Sequence, residues 1–471
     1  MKDTGQTASA SRPRISTKPP GGMRDFLPAD LARRAHVIDT IRTVYRRYGF
    51  VELETPSIEN LSTLVGKYGE EGDQLLYRLL RRRDSLTRAL DEAASQQRSP
   101  TRDELATEGL RYDLTVPLAR VIAQHGELPR YFKRFQIQPV WRADRPGRGR
   151  FREFYQCDVD ITGTTSLVAD AEVITAVTMV LHELGFKDFS LLLNHRQLLR
   201  EMIRAAGIND AAEGSALIAV DKFDKIGREG VEQELGKRGI SADPARRLLD
   251  LICDQPDASN EARLDYLAQQ IDSAQGRKAI TELGELCQLC AQTAASSALK
   301  VEARLARGLG YYTGPIFEIV VPDLAGSLGG GGRYDQLVGM FGKREVAAVG
   351  FSLGLERILT VMTERTMFPD LQVGPDLVLC WMGIPGTDML RVANELRGEG
   401  VRVETFPEPA KLKKQLQYAA NPAVSARYAG ILGTQELADG EITLKHLASG
   451  KQTRLSLTEA AQVIREQRAL S

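Results

Sequence analysis

Apolar residues recur every three or four positions near the start of the chain. Within residues 30–48 they lie at Leu31, Ala35, Ile38, Ile41, Val44 and Tyr45. This spacing predicts an amphipathic helix, with Asp30 suited to cap its beginning and Gly49 to end it. The next residues, FVELETPSIE, predict a strand with Pro56 at its far end.

The pattern between residues 66 and 370 changes repeatedly between strand and helix. Residues 66–109 are highly charged and predict a solvated helix or a surface excursion, not a site. LRYDLTVPLARVIAQH predicts a strand and a helix, 164–185 a helix, 189–195 a buried strand, and 196–300 an inserted helical module. YTGPIFEIVVP predicts a strand, while SLGGGGRYDQLVGMF and AAVGFSLGLERILTVM each predict a turn followed by a helix.

Strands and helices alternate regularly beyond FPDLQVGPD, residues 368–376. This alternation predicts a compact α/β domain, and about 100 residues is a sensible size for one. The expected organisation is a disordered tail at 1–18, a first domain at 19–370 that contains the helical insertion 196–300, and a second domain at 371–471.

The stretch WRADRPGRGRFREFYQCDVDITG, residues 141–163, crowds arginines before an alternating segment. Successive side chains of a strand point to opposite faces, so Gln156, Asp158 and Asp160 share one face. Upstream, RFQIQPVWR alternates in the same way as far as Arg142, which predicts two antiparallel strands joined by the irregular loop ADRPGRG. A hairpin with one solvated face explains the acids. Arginines beside carboxylates would also suit a nucleotide next to an amino-bearing substrate.

Three further motifs indicate chemistry only weakly when each is taken alone. ARGLGYYTGPIFEIV has Arg307 before two glycines and a tyrosine pair, and such tyrosines are more often packing residues than ligand contacts. SLGGGGRYDQL suggests a phosphate cradle, but the P-loop pattern fails and a GxGxxG match is trivial. Its glycines favour the close approach of a ligand or a strand. GFSLGLERI places Arg357 on a helix, where a lone arginine is more often at the surface.

Composition and charge exclude several classes of protein. The 62 Lys and Arg balance 62 Asp and Glu, which argues against a histone-like binder, and local basic patches must meet any polyanion. Five scattered cysteines are typical of a reducing compartment, and Cys287 and Cys290 lack the further ligands that zinc needs, so no metal site is expected. No apolar run approaches the ~18–20 residues of a membrane span, and no membrane association is expected. Residues 1–18 lack a secretory signal; a transit peptide stays open beside the favoured disordered tail.

Taken together and in order, the motifs resemble a class II aminoacyl-tRNA synthetase, and most closely the histidyl-tRNA synthetase family. GGMRDFLP and the segment ending at Pro56 look like the opening and motif 1, FKRFQIQPVWRADRPGRGRFREFYQCDVDITG like motif 2, and GFSLGLERI like motif 3. RGLGYYTG and GGGRYDQLVG resemble the histidine-specific segments. The resemblance implies an α+β fold: a catalytic domain built on an antiparallel sheet with a helical insertion, and a C-terminal α/β anticodon-binding domain.

The resemblance also implies roles for individual residues. Three arginines would be catalytic: Arg142 at the ATP α-phosphate and the substrate carboxylate, Arg307 at the α-phosphate, and Arg357 at the γ-phosphate. ATP binding would use Arg142, Arg357 and, at the phosphates or adenine, Arg150. Histidine binding would use Asp113, Thr115, Gln156, Asp160, Arg307, Tyr311, Tyr312 and Tyr334. Many members have glutamate where this chain has Asp113 and Asp160, which keeps the charge but shortens the reach.

The implied reaction is that of a histidine–tRNA ligase, in which ATP is a substrate and Mg²⁺ a cofactor. Histidine and ATP would give histidyl-adenylate and pyrophosphate, and histidine would then pass to the 3′ end of tRNA(His). A homodimer, a cytoplasmic location and no membrane are implied as well.

Two alternatives stay open at this point. One is a catalytically inactive paralogue, such as the regulatory subunit of ATP phosphoribosyltransferase, which should lack the motif arginines and the RNA-binding domain. The other is a related synthetase for proline or threonine, although RGLGYYTG and the acids favour histidine.

The C-terminal domain contains one candidate RNA-binding helix. Lys411, Lys414, Gln415 and Tyr418 share a predicted helix face. Basic residues beside an aromatic ring suit single-stranded RNA, and a merely solvated face explains the pattern equally well.

Overall fold

The computed structural model describes residues 15–307, 310–342 and 344–469 of the 471-residue chain. These residues form two compact units. The first comprises the described residues up to Asp25 together with Val37–Arg365, and the second comprises Phe26–His36 and the described residues from Thr366 onward. Helices and sheets are mixed in both, so the predicted α+β class is confirmed. The predicted boundaries at 19, 196, 300 and 371 stay predictions, and residues 1–14 of the predicted tail lie outside the described residues.

An eight-stranded sheet and a three-stranded sheet lie in the first unit. The strands are β1 (Val51–Glu52), β2 (Ile58–Asn60), β3 (Arg78–Leu80), β4 (Ala106–Leu110), β5 (Phe132–Trp141), β6 (Glu153–Thr162), β7 (Ser190–His195), β8 (Leu299–Val301), β9 (Pro315–Val320), β10 (Ser327–Arg333) and β11 (Ala348–Gly354). The large sheet has the order β1-β5-β6-β11-β10-β9-β7-β8, and the small sheet β2-β4-β3. All neighbours pair antiparallel except β1 with β5 and β7 with β8, so a parallel strand closes each edge of an antiparallel centre.

Helices surround these sheets. They are α1 (Pro28–Arg47), α2 (Leu61–Leu64), α3 (Gly69–Gln74), α4 (Asp84–Ser95), α5 (Arg102–Leu105), α6 (Thr115–Gln124), α7 (Leu167–Glu183), α8 (Arg196–Ala205), α9 (Glu213–Val220), α10 (Phe223–Lys237), α11 (Ala242–Cys253), α12 (Asn260–Gln270), α13 (Ala274–Cys290) and α14 (Leu355–Glu364). Residues of α1 up to His36 belong to the second unit. The helical pattern predicted after residue 196 is confirmed from α8 to α13.

The core of the first unit follows from the strand and helix periodicities. Cys157, Val159 and Ile161 alternate along β6 and are buried, while the residues between them line a cavity. Helix α7 packs against β6 and β11 and is apolar nearly all round, with Val173 and Val177 fully buried. Burying a side chain of this size stabilises the fold by about 1.5–3 kcal/mol.

Two of the predicted turns are wrong, because SLGGGGR and AVGFSLG form the central strands β10 and β11. Glycine allows these strands to lie close together: a Cβ at Gly329 would lie 3.0 Å from Leu353 Cα, and one at Gly331 would lie 2.7 Å from Phe351 Cα. The helix predicted after the glycines is also wrong, since only a short 3₁₀ turn, Val338–Phe341, forms there. The helix predicted from LERILTVM is confirmed as α14.

The strand predicted from FVELETPSIE is also wrong in its length. It divides into β1 and β2, which belong to different sheets on either side of Pro56. Proline has no N–H to donate to a strand ladder, which explains the break. The charged segment 66–109 forms the largely exposed helix α4, as predicted, but it also supplies β3 and β4 to the small sheet.

The second unit has a five-stranded sheet of order β13-β12-β14-β15-β16. Its elements are β12 (Leu377–Trp381), α15 (Gly386–Gly398), β13 (Val403–Thr405), α16 (Leu412–Ala419), β14 (Tyr428–Leu432), α17 (Thr434–Asp439), β15 (Glu441–His446), β16 (Gln452–Ser456) and α18 (Leu457–Ala469). The predicted alternation is confirmed, and α17 is an addition to it. Leu377, Leu379, Val392 and Ile464 are among the buried residues of its core.

One of the four residues predicted for the RNA-binding face of α16 does not lie on an exposed surface. Gln415 is fully buried: its Oε1 accepts from the Trp381 N–H at 2.8 Å, and its Nε2 donates to the Trp381 carbonyl at 2.7 Å. Lys414 and Tyr418 are exposed, but they bond to Glu408 and Glu404. Because Gln415 binds α16 to β12, it serves the fold and not an RNA surface.

Candidate active site

The site is built on the β5–β6 hairpin. Gln138 pairs with Gln156, Gln136 with Asp158, and Arg134 with Asp160, so their side chains share one face of the sheet. The antiparallel hairpin and the shared face of the polar residues were predicted from parity, and both predictions are confirmed.

A cavity of about 800 Å³ lies on this face of the hairpin. Strands β6, β10 and β11 line it, together with the loop after β5, the start of α6 and residues 220–225 from the helical segment. All the predicted site residues line this one cavity: Asp113, Thr115, Arg142, Arg150, Gln156, Asp160, Arg307, Tyr311, Tyr312, Tyr334 and Arg357. The structure therefore brings together residues that are up to about 240 positions apart in the sequence.

Buried acids line one part of the cavity. Asp113 Oδ1 accepts from the Val116 N–H at 3.0 Å and from the Tyr68 hydroxyl at 3.1 Å, which fixes the carboxyl at the start of α6. Its Oδ2 is buried and has no hydrogen-bond partner within the described part of the chain. Burial raises the pKa of Asp113 and of Asp160, and it raises the pKa of Asp158 to about 7 against the opposing charge of Arg134. Burial disfavours the ionised form of these carboxyls, so a cationic ligand beside them would stabilise that form.

Arg134, which sequence reasoning did not single out, is the buried cation that faces these acids. It is fully buried, and its Nη2 lies 2.9 Å from Asp160 Oδ2 and 4.0 Å from Asp158 Oδ2. Its Nη1 donates to Gln136 at 3.1 Å. Arg134 has the same strand parity as Gln136 and Arg142, so the alternation contained the signal. Asp158, to which the sequence analysis assigned no role, lines the cavity.

Three buried tyrosines surround the acids. The hydroxyl of Tyr334 donates to Asp160, and burial followed by the charge of Asp160 raises the pKa of this phenol. The Tyr311 ring centroid lies 4.9 Å from that of Tyr312 and 6.1 Å from that of Tyr334. The tyrosines therefore pack against one another and also line the cavity. A packing role for them does not rule out contact with a ligand. Beside Tyr334, Arg333 pairs with the buried Asp170 of α7 and anchors the end of β10.

The four predicted arginines line the same cavity. Arg142 lies 4.2 Å from the Tyr112 ring centroid and donates from Nε to the Tyr112 carbonyl at 3.0 Å. Arg307 lies 3.4 Å from Glu318, and Arg357 donates to the Ser327 carbonyl. Arg150 is half-exposed and pairs with Asp144 at 2.8 Å.

The arginines repel one another. Burial lowers the pKa of Arg357, and the nearby charges of Arg150, Arg307 and Arg142 lower it further. Burial would also lower the pKa of Arg307, and it is the largest single influence, but the negative charges around the guanidinium group together outweigh it and raise the pKa, Glu318 foremost and Asp221 among the others. Gathered guanidinium groups that face a cavity are suited to a polyphosphate, because each planar fork binds phosphate oxygens and every added negative charge relieves the repulsion.

Two other arginines of the hairpin loop have different surroundings. Arg148 borders the cavity, but its Nε donates to Glu364 at 3.0 Å and its Nη1 to the Asp323 carbonyl at 2.9 Å. Arg145 is not among the residues that line the cavity. Glu318 and Asp221, which sequence reasoning did not single out, do line it, and both interact with Arg307.

The described residues also bear on metal binding and on membrane insertion. Within residues 15–307, 310–342 and 344–469, no group of three or more His, Cys, Asp or Glu side chains is placed to hold a metal ion. Burial raises the pKa of Cys287 to about 11 and that of Cys290 to about 12, which opposes formation of the thiolates that bind metals. Among the described helices, none is both long and apolar enough to cross a membrane.

The chain is similar to known proteins along nearly its whole length. Residues 22–358 match the family model described as histidyl-tRNA synthetase, and residues 386–467 match that of an anticodon binding domain. A histidine–tRNA ligase of Porphyromonas gingivalis is 41% identical over 451 residues, 94% of this chain and 98% of the relative. One from Gloeobacter violaceus is 39% identical over 470 residues, covering 94% and 97%.

Solved structures show the same relationship. The histidyl-tRNA synthetase of Nostoc sp. PCC 7120 superposes with a TM-score of 0.77 and 29% identity, covering 96% of this chain and 100% of that one. A Bacillus halodurans protein described as an ATP phosphoribosyltransferase regulatory subunit/histidyl-tRNA synthetase has a TM-score of 0.70 and 20% identity, which indicates a shared fold.

Proposed function

The chain belongs to the histidyl-tRNA synthetase family and ligates histidine to tRNA(His) with ATP as a substrate, and we propose that its cavity forms the histidyl-adenylate. One observation supports this site: the arginines assigned to ATP, Arg142, Arg150, Arg307 and Arg357, line the same cavity as the buried acids Asp113, Asp158 and Asp160. The phosphates of ATP complement the arginines, and the α-ammonium group of histidine complements the acids.

In the first step, a carboxylate oxygen of histidine attacks the α-phosphorus of ATP. The new O–P bond forms as the bond from that phosphorus to the bridging oxygen breaks, and pyrophosphate leaves with the electron pair. The nucleophile is already an anion, so no general base is required. We assign Arg142 and Arg307 to the α-phosphate, Arg357 to the γ-phosphate, and Arg150 to the phosphates or adenine. Positioning and fixed positive charge supply the catalysis.

Histidine is proposed to occupy the acidic part of the cavity. Asp113, Asp160, Gln156 and Thr115 are assigned to its α-ammonium group, and the three tyrosines to its imidazole and amino groups. The unpaired Oδ2 of Asp113 supports this orientation, since it offers a buried acceptor to a cation. An amino acid that left these groups unpaired would be rejected, because unpaired buried polar groups are costly.

Mg²⁺ is proposed to accompany ATP. Mg²⁺ usually keeps several waters and uses substrate phosphates with only one or two carboxylates, so a protein cage of three ligands is unnecessary. Glu318 fits this requirement, because it is partly buried, lines the cavity and pairs with Arg307. When bound, the ion would neutralise phosphate charge; the chain's own arginines orient the phosphates.

In the second step, a terminal ribose hydroxyl of tRNA attacks the adenylate carbonyl and AMP leaves. The family binds histidine, and it binds tRNA(His) through an anticodon-binding domain. We assign that role to residues 371–471, with residues 19–370 as the catalytic domain and 196–300 as its helical insertion. A homodimer and a cytoplasmic location complete the proposal.

Pyrophosphate exchange, measured with one amino acid at a time, tests the assignment of the cavity. We expect exchange with histidine alone. Exchange with proline or threonine in its place would overturn the assigned specificity. Exchange with no amino acid would favour the inactive regulatory paralogue, which the retained Arg142, Arg307 and Arg357 and the matched anticodon-binding domain oppose.

A further inference from the structure

An arm of mixed charge separates β3 from β4. We define it as Arg81–Glu104, which contains α4, α5 and the segment that joins them. Most of its residues are exposed, and Ala93 is its fully buried anchor. A capping box at Thr101 and Glu104 holds α5 in place. The arm therefore has a defined structure although it adds little to the core.

The cations of the arm fall into a paired and an unpaired set. Arg98 donates to both oxygens of Glu104, at 2.8 and 2.6 Å. By contrast, Arg82, Arg83 and Arg88 are exposed, and within the described residues they form no ion pair. Three consecutive arginines precede α4, and Asp84 is the single acid between residues 81 and 88. This end of the arm therefore has an excess of positive charge.

The backbone is strained where the three consecutive arginines meet α4. Arg83 has φ +50° and ψ −133°, a conformation that residues with a side chain rarely adopt. Glycine would relieve the strain, yet an arginine occupies the position. Strained non-glycine residues are concentrated at functional positions, so the strain is a second indication of a role for this turn.

The unpaired arginines are connected to the catalytic cavity by a short strand. The Arg81 N–H donates to the Leu105 carbonyl at 2.8 Å, β4 begins at the next residue, and Asp113 of the cavity follows β4. Asp113 lies eight positions after Leu105, so at most about 29 Å of extended chain separates the arm's base from the cavity. A long polyanion with one end in the cavity can reach the arm.

We propose that Arg82, Arg83 and Arg88 bind backbone phosphates of tRNA(His) while its 3′ end occupies the cavity. This inference rests on the proposed function, which makes a polyanionic RNA the second substrate. The chain has no net charge to attract RNA, so binding must use local clusters such as this one. Guanidinium forks that lack carboxylate partners are free to bind phosphate without first breaking an ion pair.

The test compares charging of tRNA(His) with histidine-dependent pyrophosphate exchange in R82Q/R83Q/R88Q. We expect KM for tRNA to rise on the order of tenfold, with exchange unchanged. The slope of log(kcat/KM) for charging against log salt should become shallower by about 2–3, since each lost phosphate contact removes about 0.7–0.9. R82K/R83K/R88K should retain most of the salt dependence. The matched control R98Q/E104Q, which removes a paired cation with its acid, should leave both quantities unchanged.

Several outcomes would overturn the proposal. These are an unchanged KM and salt slope in the glutamine variant, a lysine variant that charges as poorly as the glutamine variant, or an equal loss of exchange and charging. The last would mean that the arm supports the cavity and not the RNA. The unaltered chain provides the separate check: if it did not charge tRNA(His) at all, the proposed function itself would be refuted.

Discussion

Replacing Gly330 with alanine tests how β10 serves the cavity. Gly330 pairs with Ser352 in the centre of the large sheet, and it lies under the side chain of Arg307. A Cβ built at this position would lie 2.5 Å from Arg307 Cζ and 2.6 Å from its Nη2. Ordinary contacts between such atoms are about 3.5–4.0 Å, so the guanidinium group must move by about 1 Å.

The magnitude follows from the role proposed for Arg307. A displacement of about 1 Å at a positioning group can reduce the rate about 100-fold, which corresponds to about 2.7 kcal/mol of transition-state stabilisation. The fold should be little affected, because the clashing atoms belong to the end of a flexible side chain. We therefore expect Gly330→Ala to lose about 100-fold in histidine-dependent pyrophosphate exchange with a melting temperature close to that of the unaltered protein.

The neighbouring glycine provides the matched control. At Gly329 a Cβ would meet the Ser352 carbonyl and lie 3.0 Å from Leu353 Cα, so the clash is with backbone that cannot move aside. Gly329→Ala should therefore lower the melting temperature markedly. In the double variant Gly330→Ala/Arg307→Ala, exchange should be no lower than in Arg307→Ala alone. Near-normal exchange in Gly330→Ala, or additive losses in the double variant, would refute this account of β10.

Three further changes test other parts of the structure. Arg307→Ala should lower pyrophosphate exchange by about 10²–10³-fold in a protein that still melts cooperatively, and near-normal exchange would contradict its assignment to the α-phosphate. Asp158→Asn removes a buried acid with a pKa raised to about 7. In the unaltered chain the unfolded state ionises this acid first, so the acid lowers the free energy of unfolding as the pH rises from about 4 to 7, by at most about 1.4 kcal/mol per pH unit. The variant lacks this loss. Urea unfolding at pH 5 and 8 should show the variant gaining stability relative to the unaltered chain at the higher pH, and an equal difference at both would contradict this. Gln415→Ala should destabilise the second unit by about 1–3 kcal/mol, through loss of the buried bonds to Trp381, and leave pyrophosphate exchange unchanged; a loss of tRNA charging without a loss of stability would instead favour an RNA contact.

The sequence predicted the polar face of the hairpin because strand parity is a local property. Alternation alone placed Gln156, Asp158 and Asp160 on one face, and the register of β5 with β6 confirms it. The helices after residue 196 and the alternation after residue 376 were predicted for the same reason. The distant residues that join the hairpin were predicted only from the resemblance, because spacing along the chain does not determine tertiary contacts.

The glycine-rich segments could not be predicted from local rules. Runs of glycine usually indicate turns, and SLGGGGR was accordingly interpreted as one. In the structure it is a central strand, because the adjacent backbone of β11 leaves no room for a Cβ at Gly329 or Gly331. Similarly, Gln415 has the periodicity of an exposed helix face, and only its bonds to β12 show that it is buried. In both cases the deciding contact is made by a different element of the chain.

The arginines of the cavity are already held in place before any phosphate arrives. Arg307 has Glu318 at 3.4 Å, Arg150 has Asp144 at 2.8 Å, and Arg142 donates to the Tyr112 carbonyl at 3.0 Å. Flexible, solvated arginines would lose side-chain entropy on binding ATP, whereas these contacts have ordered the guanidinium groups during folding. None of them is an ideal buried ion pair, because Arg150 is half-exposed and the Arg307–Glu318 distance exceeds that of a close charge-assisted bond. Phosphate oxygens can therefore replace or join these partners at low cost, and the groups that stabilise the transition state need little rearrangement to do so.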